Sequence, residues 1–249
     1  MKISYNPWDD SGVAIHRYTA ENKRGDGAVI IFSGGGYSWR APHEAEPYAL
    51  KLNDMGIDAF VVDYRVHPDM FPLPLLDARR AIRFVRENAD NWQINKEKIA
   101  VMGSSAGGHL AELSSTLFDD EWQDAIPNAQ ILCYPVTDID SHKGSYENLL
   151  GDNIGAHESV TPTLLASERT PIAFIWHTSS DQSVDVRGSY RYAARLAELG
   201  IPVEMHIYPI GGHGLGLANG LYDRATLPYV QRWIEDLERW LRLNKWINE

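Results

Sequence analysis

Short unbroken apolar runs recur along the chain, most of them followed by stretches in which apolar residues fall at i, i+3, i+4 and i+7. Ala28-Val-Ile-Ile-Phe32, Ile57 to Tyr64 with Ala59-Phe-Val-Val62 at its centre, Ile99-Ala-Val-Met102, Gln130 to Tyr134 and Ile172-Ala-Phe-Ile-Trp176 read as strands covered on both faces. Val203 to Tyr208 alternates as a strand, and a weaker alternation from Val13 to Tyr18 predicts an edge strand. Helical spacing predicts a helix over His43 to Met55, stopped by Gly56, and another opened by Pro72 and Pro74 with Ala78, Ala81, Ile82 and Val85 inward. Arg79, Arg80, Arg83 and Arg86 on that helix are expected to form a solvated face. A further helix buries Ala106, Leu110, Leu113 and Leu117; Val186, Tyr190, Ala193 and Ala197 mark another that stops at Gly200; and the last, over about Leu227 to Leu243, buries Val230, Trp233, Ile234, Leu237 and Leu241. The last of these could pack on the sheet or on a second subunit.

Strands alternating with helices predict the α/β class, with a mostly parallel central sheet and helices on both faces. Ligands in such sheets bind beyond the carboxyl ends of the strands. The pattern lapses between Pro135 and Thr170. These roughly 35 residues, rich in Asp, Ser, Gly and Pro, are too many for plain loop inside a compact domain. A small cap-like insertion over about 136–170, after the sixth main strand and near the site, is expected within a single domain spanning 1–249.

Charge narrows the partners. Lys and Arg total 23 against 34 Asp and Glu, a formal net charge of −11 that repels phosphate backbones and anionic membranes. Neither nucleic acid nor a membrane is an expected partner. No segment approaches the roughly 18 apolar residues of a membrane span, and the N-terminal stretch lacks a signal-peptide core, so a cytoplasmic location is expected. The single Cys133, in the apolar run Ile131-Leu-Cys-Tyr134, is expected to be a buried structural thiol in a reducing compartment. No H-E-x-x-H or paired-cysteine spacing occurs, and neither metal nor cofactor is expected.

The chemistry centres on Gly103-Ser-Ser-Ala-Gly107, which fills G-x-S-x-G between a strand and a helix. A serine on so tight a turn needs neighbours without side chains two before and two after it, so that strand and helix can pass closely. Ser105 then stands at a helix N-terminus, where unpartnered N–H groups favour developing negative charge. Ser33-Gly34-Gly35-Gly36-Tyr37, after an earlier strand, reads as an oxyanion loop with its N–H groups turned toward a carbonyl oxygen. Serine needs a base, almost always a histidine oriented by a carboxylate. Of nine histidines, His213 lies just past a strand in the glycine-rich loop Gly211 to Gly216; His206 lies inside that strand, His177 ends another, and His109 sits one helical turn beyond Ser105. Asp181 follows the strand ending at Trp176 by a short turn, while Asp185 suits an N-cap of the next helix. Ser105, Asp181 and His213 stand in the chain order of an α/β-hydrolase triad. Tyr37, Trp39 and Tyr134, beside strand ends, are candidates to line an acyl or alcohol pocket, or to pack beneath it.

Through Ser33-Gly-Gly-Gly-Tyr37, Val62-Asp-Tyr-Arg-Val66, Gly103-Ser-Ser-Ala-Gly-Gly-His-Leu110, Trp176-His-Thr-Ser-Ser-Asp181 and Gly211-Gly-His-Gly214, the chain resembles α/β-hydrolase esterases related to bacterial acetylxylan esterases and the wider hormone-sensitive-lipase-like group. The resemblance implies Ser105 as nucleophile, Asp181 and His213 as its partners, and the N–H groups of Gly35, Gly36 and Ala106 as the oxyanion hole. Hormone-sensitive-lipase relatives usually have His-Gly-Gly-Gly where this chain has Ser33; backbone donors survive that change. The implied activity is a serine carboxylesterase, with an acetylated sugar as the implied substrate. Lacking a long apolar lid, the chain suits a small ester with a short acyl chain. The same triad serves amidases and peptidases, and a non-catalytic binding protein of this fold would be marked by a missing triad member. All three residues are present.

Overall fold

Strands that are apolar on both faces must be covered twice, which the chain achieves by passing helices back over the sheet between parallel strands. The computed structural model describes residues 1–8 and 12–248. Its strands are β1 (Lys2–Tyr5), β2 (Ile15–Tyr18), β3 (Ala28–Phe32), β4 (Asp58–Val62), β5 (Ile99–Ser104), β6 (Ala129–Cys133), β7 (Ile172–Thr178) and β8 (Val203–Tyr208). They form one sheet in the order β1-β2-β4-β3-β5-β6-β7-β8, antiparallel for β1 with β2 and β2 with β4, and parallel elsewhere. The helices are α1 (Glu46–Asp54), α2 (Leu73–Glu87), α3 (Ala89–Trp92), α4 (Ala106–Thr116), α5 (Lys143–Leu150), α6 (Pro162–Leu165), α7 (Val186–Glu198), α8 (Pro228–Gln231) and α9 (Trp233–Leu243).

Alternation along the strands divides the core. Ile30, Phe32, Val101, Leu132 and Ile175 face α2, α4 and α7, whereas Val29, Ile31, Met102, Ile131 and Trp176 face α1 and α9. Trp233 of α9 stacks on Trp176 with centroids 5.0 Å apart, so the C-terminal helix packs on the sheet. From β3 the chain first crosses to β4 on one side and then returns to β5 on the other. The loops leaving β3 and β5 therefore diverge at their carboxyl ends, with Phe32 level with Gly103, and open a crevice between them.

Three expectations need correction. The edge strand is β1; β2 lies one place inside it, because the mostly exposed Lys2-Ile-Ser-Tyr5 carries too little apolar character to be read as a strand, although its polarity suits an edge. The C-terminal helix breaks at Arg232 into α8 and α9. The arginines of α2 do not form a simple solvated face. Arg79 donates to the Leu117 carbonyl (2.6 Å), Arg83 to that of Glu121 (2.7 Å), and Arg86 to the carbonyls of Asp124 and Ile126. Carbonyls that lie outside a regular ladder need donors, and guanidinium groups supply several in one plane.

Residues 136–170 contain α5, a 3-10 segment over Gly151–Val160, and α6. This stretch lies against α4, every residue of which is buried. His109 on α4 donates from Nε2 to the Val160 carbonyl (2.8 Å) and accepts at Nδ1 from the Tyr37 hydroxyl (2.7 Å). Burial lowers its pKa to about 4, so the ring is neutral. One turn on, Glu112 is fully buried, and neither carboxyl oxygen has a partner among the described residues. Burial pushes its pKa well above the ordinary carboxylate value. Folding thus favours the protonated form, and the cost of keeping this group grows as pH rises past the unfolded-state pKa. Glu112→Met is expected to raise stability by about 1–3 kcal/mol at pH 8, and by less at pH 4, as measured by urea unfolding at the two pH values.

Candidate active site

The crossing of α4 with β5 and β3 leaves no room for side chains at two positions. A Cβ on Gly103 would lie 2.0 Å from the Gly107 carbonyl oxygen, and one on Gly107 would lie 2.1 Å from that of Phe32. Between them Ser105 takes φ 53° and ψ −121°, a strained conformation for a residue with a side chain. The surroundings hold it there. Its N–H donates to Cys133 O, and its carbonyl accepts from the amides of His109 and Val136, each at 3.0 Å.

The Ser105 hydroxyl meets His213 Nε2 at 2.8 Å, and His213 Nδ1 meets Asp181 Oδ2 at 2.7 Å. Ser105, Asp181 and His213 come from the carboxyl ends of β5, β7 and β8 and are brought into one hydrogen-bonded line. Asp181 Oδ1 accepts from the Ser183 and Val184 amides, at 2.9 and 3.0 Å. Its other oxygen also accepts from His177 Nε2 at 3.2 Å, while His177 Nδ1 is bonded to the Ser189 hydroxyl at 2.8 Å. Burial opposes charge on Asp181, but the donors from His177, His213 and Val184 outweigh it and hold the carboxyl well below its ordinary pKa. The role of His177 was not apparent from sequence, where it was only a strand-end histidine. Asp185 caps α7, accepting from the Arg187 amide at 2.9 Å. His206 pairs with Glu204 at 2.8 Å, away from the nucleophile.

Ser105 and His213 open into a cleft of about 360 Å³ lined also by Gly35, Gly36, Trp39 and His142. The amides of Gly35, Gly36 and Ala106 donate to no protein acceptor among the described residues. A second depression of about 450 Å³ lies on the other side of Trp39 and Ala41 and contains none of Ser105, Asp181 and His213. Of the three aromatic residues proposed for the pocket, only Trp39, half exposed, lines the cleft. Tyr37 and Tyr134 are buried beneath it because their hydroxyls are needed in the core, Tyr37 by His109 and Tyr134 by Glu44. Asn148 of α5 donates to the Gly36 carbonyl (2.8 Å), and Tyr64 donates to that of Ser33 (2.6 Å), so the glycine loop is held from both sides.

Glu44 escaped the sequence reading altogether, since an acid at the start of a helix looks like a solvated one. It is buried, and it accepts from the Gly34 amide (2.8 Å) and the Tyr134 hydroxyl (2.7 Å), with His43 Nε2 at 3.3 Å. His43 also reaches the Gly214 carbonyl (3.0 Å), and the Tyr134 hydroxyl accepts from the Gly216 amide (2.9 Å). Burial works against the Glu44 charge, but His43, Tyr134 and the Gly34 amide prevail and lower its pKa. One carboxylate thus ties the glycine loop to the histidine loop. Among the described residues, no group of three or more His, Cys, Asp or Glu side chains is placed to hold a metal ion, and no helix is long and apolar enough to cross a membrane.

With this geometry established, comparison with known proteins gives consistent matches. Residues 17–196 match the family model BD-FAE. Acetylxylan esterase of Xylanibacter ruminicola is 33% identical over 253 residues, covering 97% of this chain and 50% of that protein. Endo-1,4-beta-xylanase B of Butyrivibrio fibrisolvens is 37% identical over 207 residues, covering 77% of this chain and 33% of that protein. The chain therefore spans between a third and a half of the length of these curated relatives. The crystal structure of an acetyl ester-xyloside bifunctional hydrolase from Caldicellulosiruptor lactoaceticus superposes with a TM-score of 0.87 at 40% identity, covering 98% of this chain and 92% of that one.

Removing the hydroxyl that links the two loops has a defined cost. Tyr134→Phe is expected to destabilise the protein by about 1–3 kcal/mol at pH 7. The Glu44 contribution is present above the ordinary carboxylate pKa and is lost as pH falls below it. The difference between variant and wild type in denaturant unfolding should therefore shrink toward acid pH.

Proposed function

The chain belongs to the BD-FAE family and has the α/β-hydrolase fold, and from that premise we propose that it is a serine carboxylesterase hydrolysing small, acetyl-type esters, acetylated carbohydrates among them. The observation that carries the proposal is the unbroken line from Asp181 through His213 to Ser105, opening beside free amides in a small cleft. Ser105 Oγ attacks the ester carbonyl as its proton passes to His213 Nε2. The carbonyl oxygen becomes an oxyanion facing the amides of Gly35, Gly36 and Ala106. His213 then protonates the departing alcohol, leaving an acetyl-enzyme. A water, deprotonated by His213, attacks that ester, and the proton returns to Ser105 as acetate leaves. Asp181 stays ionised throughout, holding the imidazole tautomer and stabilising its charged form. No step calls on a cofactor.

The substrate class is supported by the names of the relatives, an acetylxylan esterase and an acetyl ester-xyloside hydrolase, and by the short cleft walled by Trp39. A small-molecule ester is the partner the site accommodates. The free, buried Cys133, whose pKa burial raises to about 12, suits a reducing compartment and supports a cytoplasmic location.

A serine-directed sulfonyl fluoride is expected to label Ser105 and to abolish p-nitrophenyl acetate turnover. Ser105→Ala should be inactive and unlabelled, and Asp181→Asn should lose about 10⁴-fold in kcat. Labelling at another serine, or full turnover by Ser105→Ala, defeats the mechanism. Comparing kcat/KM across acetylated xylo-oligosaccharides, aryl acetates, longer acyl esters and aryl amides tests the substrate class; a preference for the amides would make the protein an amidase.

A further inference from the structure

Arg224 lines the cleft that holds Ser105 and His213. Its Nη1 lies 3.7 Å from the point a Cβ on Gly214 would occupy, next to the histidine loop. Among the described residues its guanidinium makes no hydrogen bond and no ion pair, and its Nε is shielded from solvent without an acceptor. Arg65, Arg191 and Arg40, by contrast, are paired, Arg65 with Asp77, Arg191 with Asp138, and Arg40 with Asp63 and the Tyr64 carbonyl. In a chain of net charge −11, this guanidinium stands unpaired in the wall of the cleft that holds Ser105.

Backbone geometry, not pairing, places it. Residues 219–226 are closed by the Asn219–Thr226 bridge, Tyr222 and Asp223 have φ of 55° and 59°, and the Arg224 amide donates to Leu221 O at 3.2 Å. Glu44, a carboxylate in the cleft wall, already accepts from Gly34, Tyr134 and His43. A guanidinium offers a planar fork of donors that matches a carboxylate.

We propose that Arg224 forms an anion subsite that binds a carboxylate carried by the ester substrate. This rests on the reading of Ser105 as an esterase nucleophile. The carboxylate can belong to an acidic sugar on the alcohol side or to the free end of a dicarboxylic acyl group. Two matched pairs distinguish these sources: an acetylated xylo-oligosaccharide with and without a uronic acid branch, and p-nitrophenyl hemisuccinate against p-nitrophenyl acetate.

For one pair, wild-type kcat/KM should favour the acidic member on the order of tenfold, the discrimination that one charge-assisted hydrogen bond provides. Added salt should reduce that ratio. In Arg224→Gln the ratio should fall to about one, and Arg224→Lys should keep part of it. The responding pair identifies the source. Equal treatment of both pairs by the wild type, or equal losses on acidic and neutral members in Arg224→Gln, overturns the subsite. Failure of the wild type to hydrolyse any of these esters would instead overturn the esterase reading.

Discussion

The tight crossing of α4 over β5 and β3 is the constraint from which the site follows. Gly103 and Gly107 let backbone pass backbone at distances no Cβ would permit, and Ser105 is left at the top of the turn. Because β3 and β5 are neighbours in register, the same crossing sets the glycine loop beside the serine. The loops after β7 and β8 need only reach along the same edge of the sheet to bring Asp181 and His213 to it. Side chains at 103 or 107 would push α4 away from β5 and β3 and so displace the hydroxyl from the amides and the imidazole.

Two carboxylates hold what the crossing brings together. Asp181 and Glu44 are both buried and both ionised, and in each the cost of burial is outweighed by several donors converging on one group. Asp181 fixes His213 by a direct bond. Glu44 works further back, joining Gly34 to the loop that carries His213 by way of Tyr134 and His43. Glu112, with no donors, takes the other outcome available to a buried carboxyl and holds its proton.

Much of this was legible in the chain, for a physical reason. Strands covered on both faces must be apolar throughout, so β3 through β7 stand out as runs, and a helix on their surface must be periodic. The G-x-S-x-G turn is visible because its glycines are demanded by contact distance. What escaped was anything whose meaning depended on a distant partner. β1 is a strand only because β2 lies beside it. Glu44 and Tyr134 are 90 positions apart and carry no mutual signal. The α2 arginines read as solvated until the carbonyls they bind are seen across from them. For Tyr37 the sequence leaves open a place in the pocket or beneath it, and the bond to His109, itself covered by the 136–170 segment, decides for the second.

The second histidine on Asp181 completes the hydrogen bonding of that carboxylate. His177 has its Nε2 proton committed to the carboxylate, and its other nitrogen accepts from Ser189. Asp181 is saturated with donors on both oxygens, and Tyr134, whose ring packs edge-on against His213 at 5.2 Å, has its hydroxyl proton engaged by Glu44. His177, Asp181 and Tyr134 are thus each held by defined partners. Among the described residues the Ser105 hydroxyl has one hydrogen-bond partner, His213 Nε2, and so a single direction in which to point.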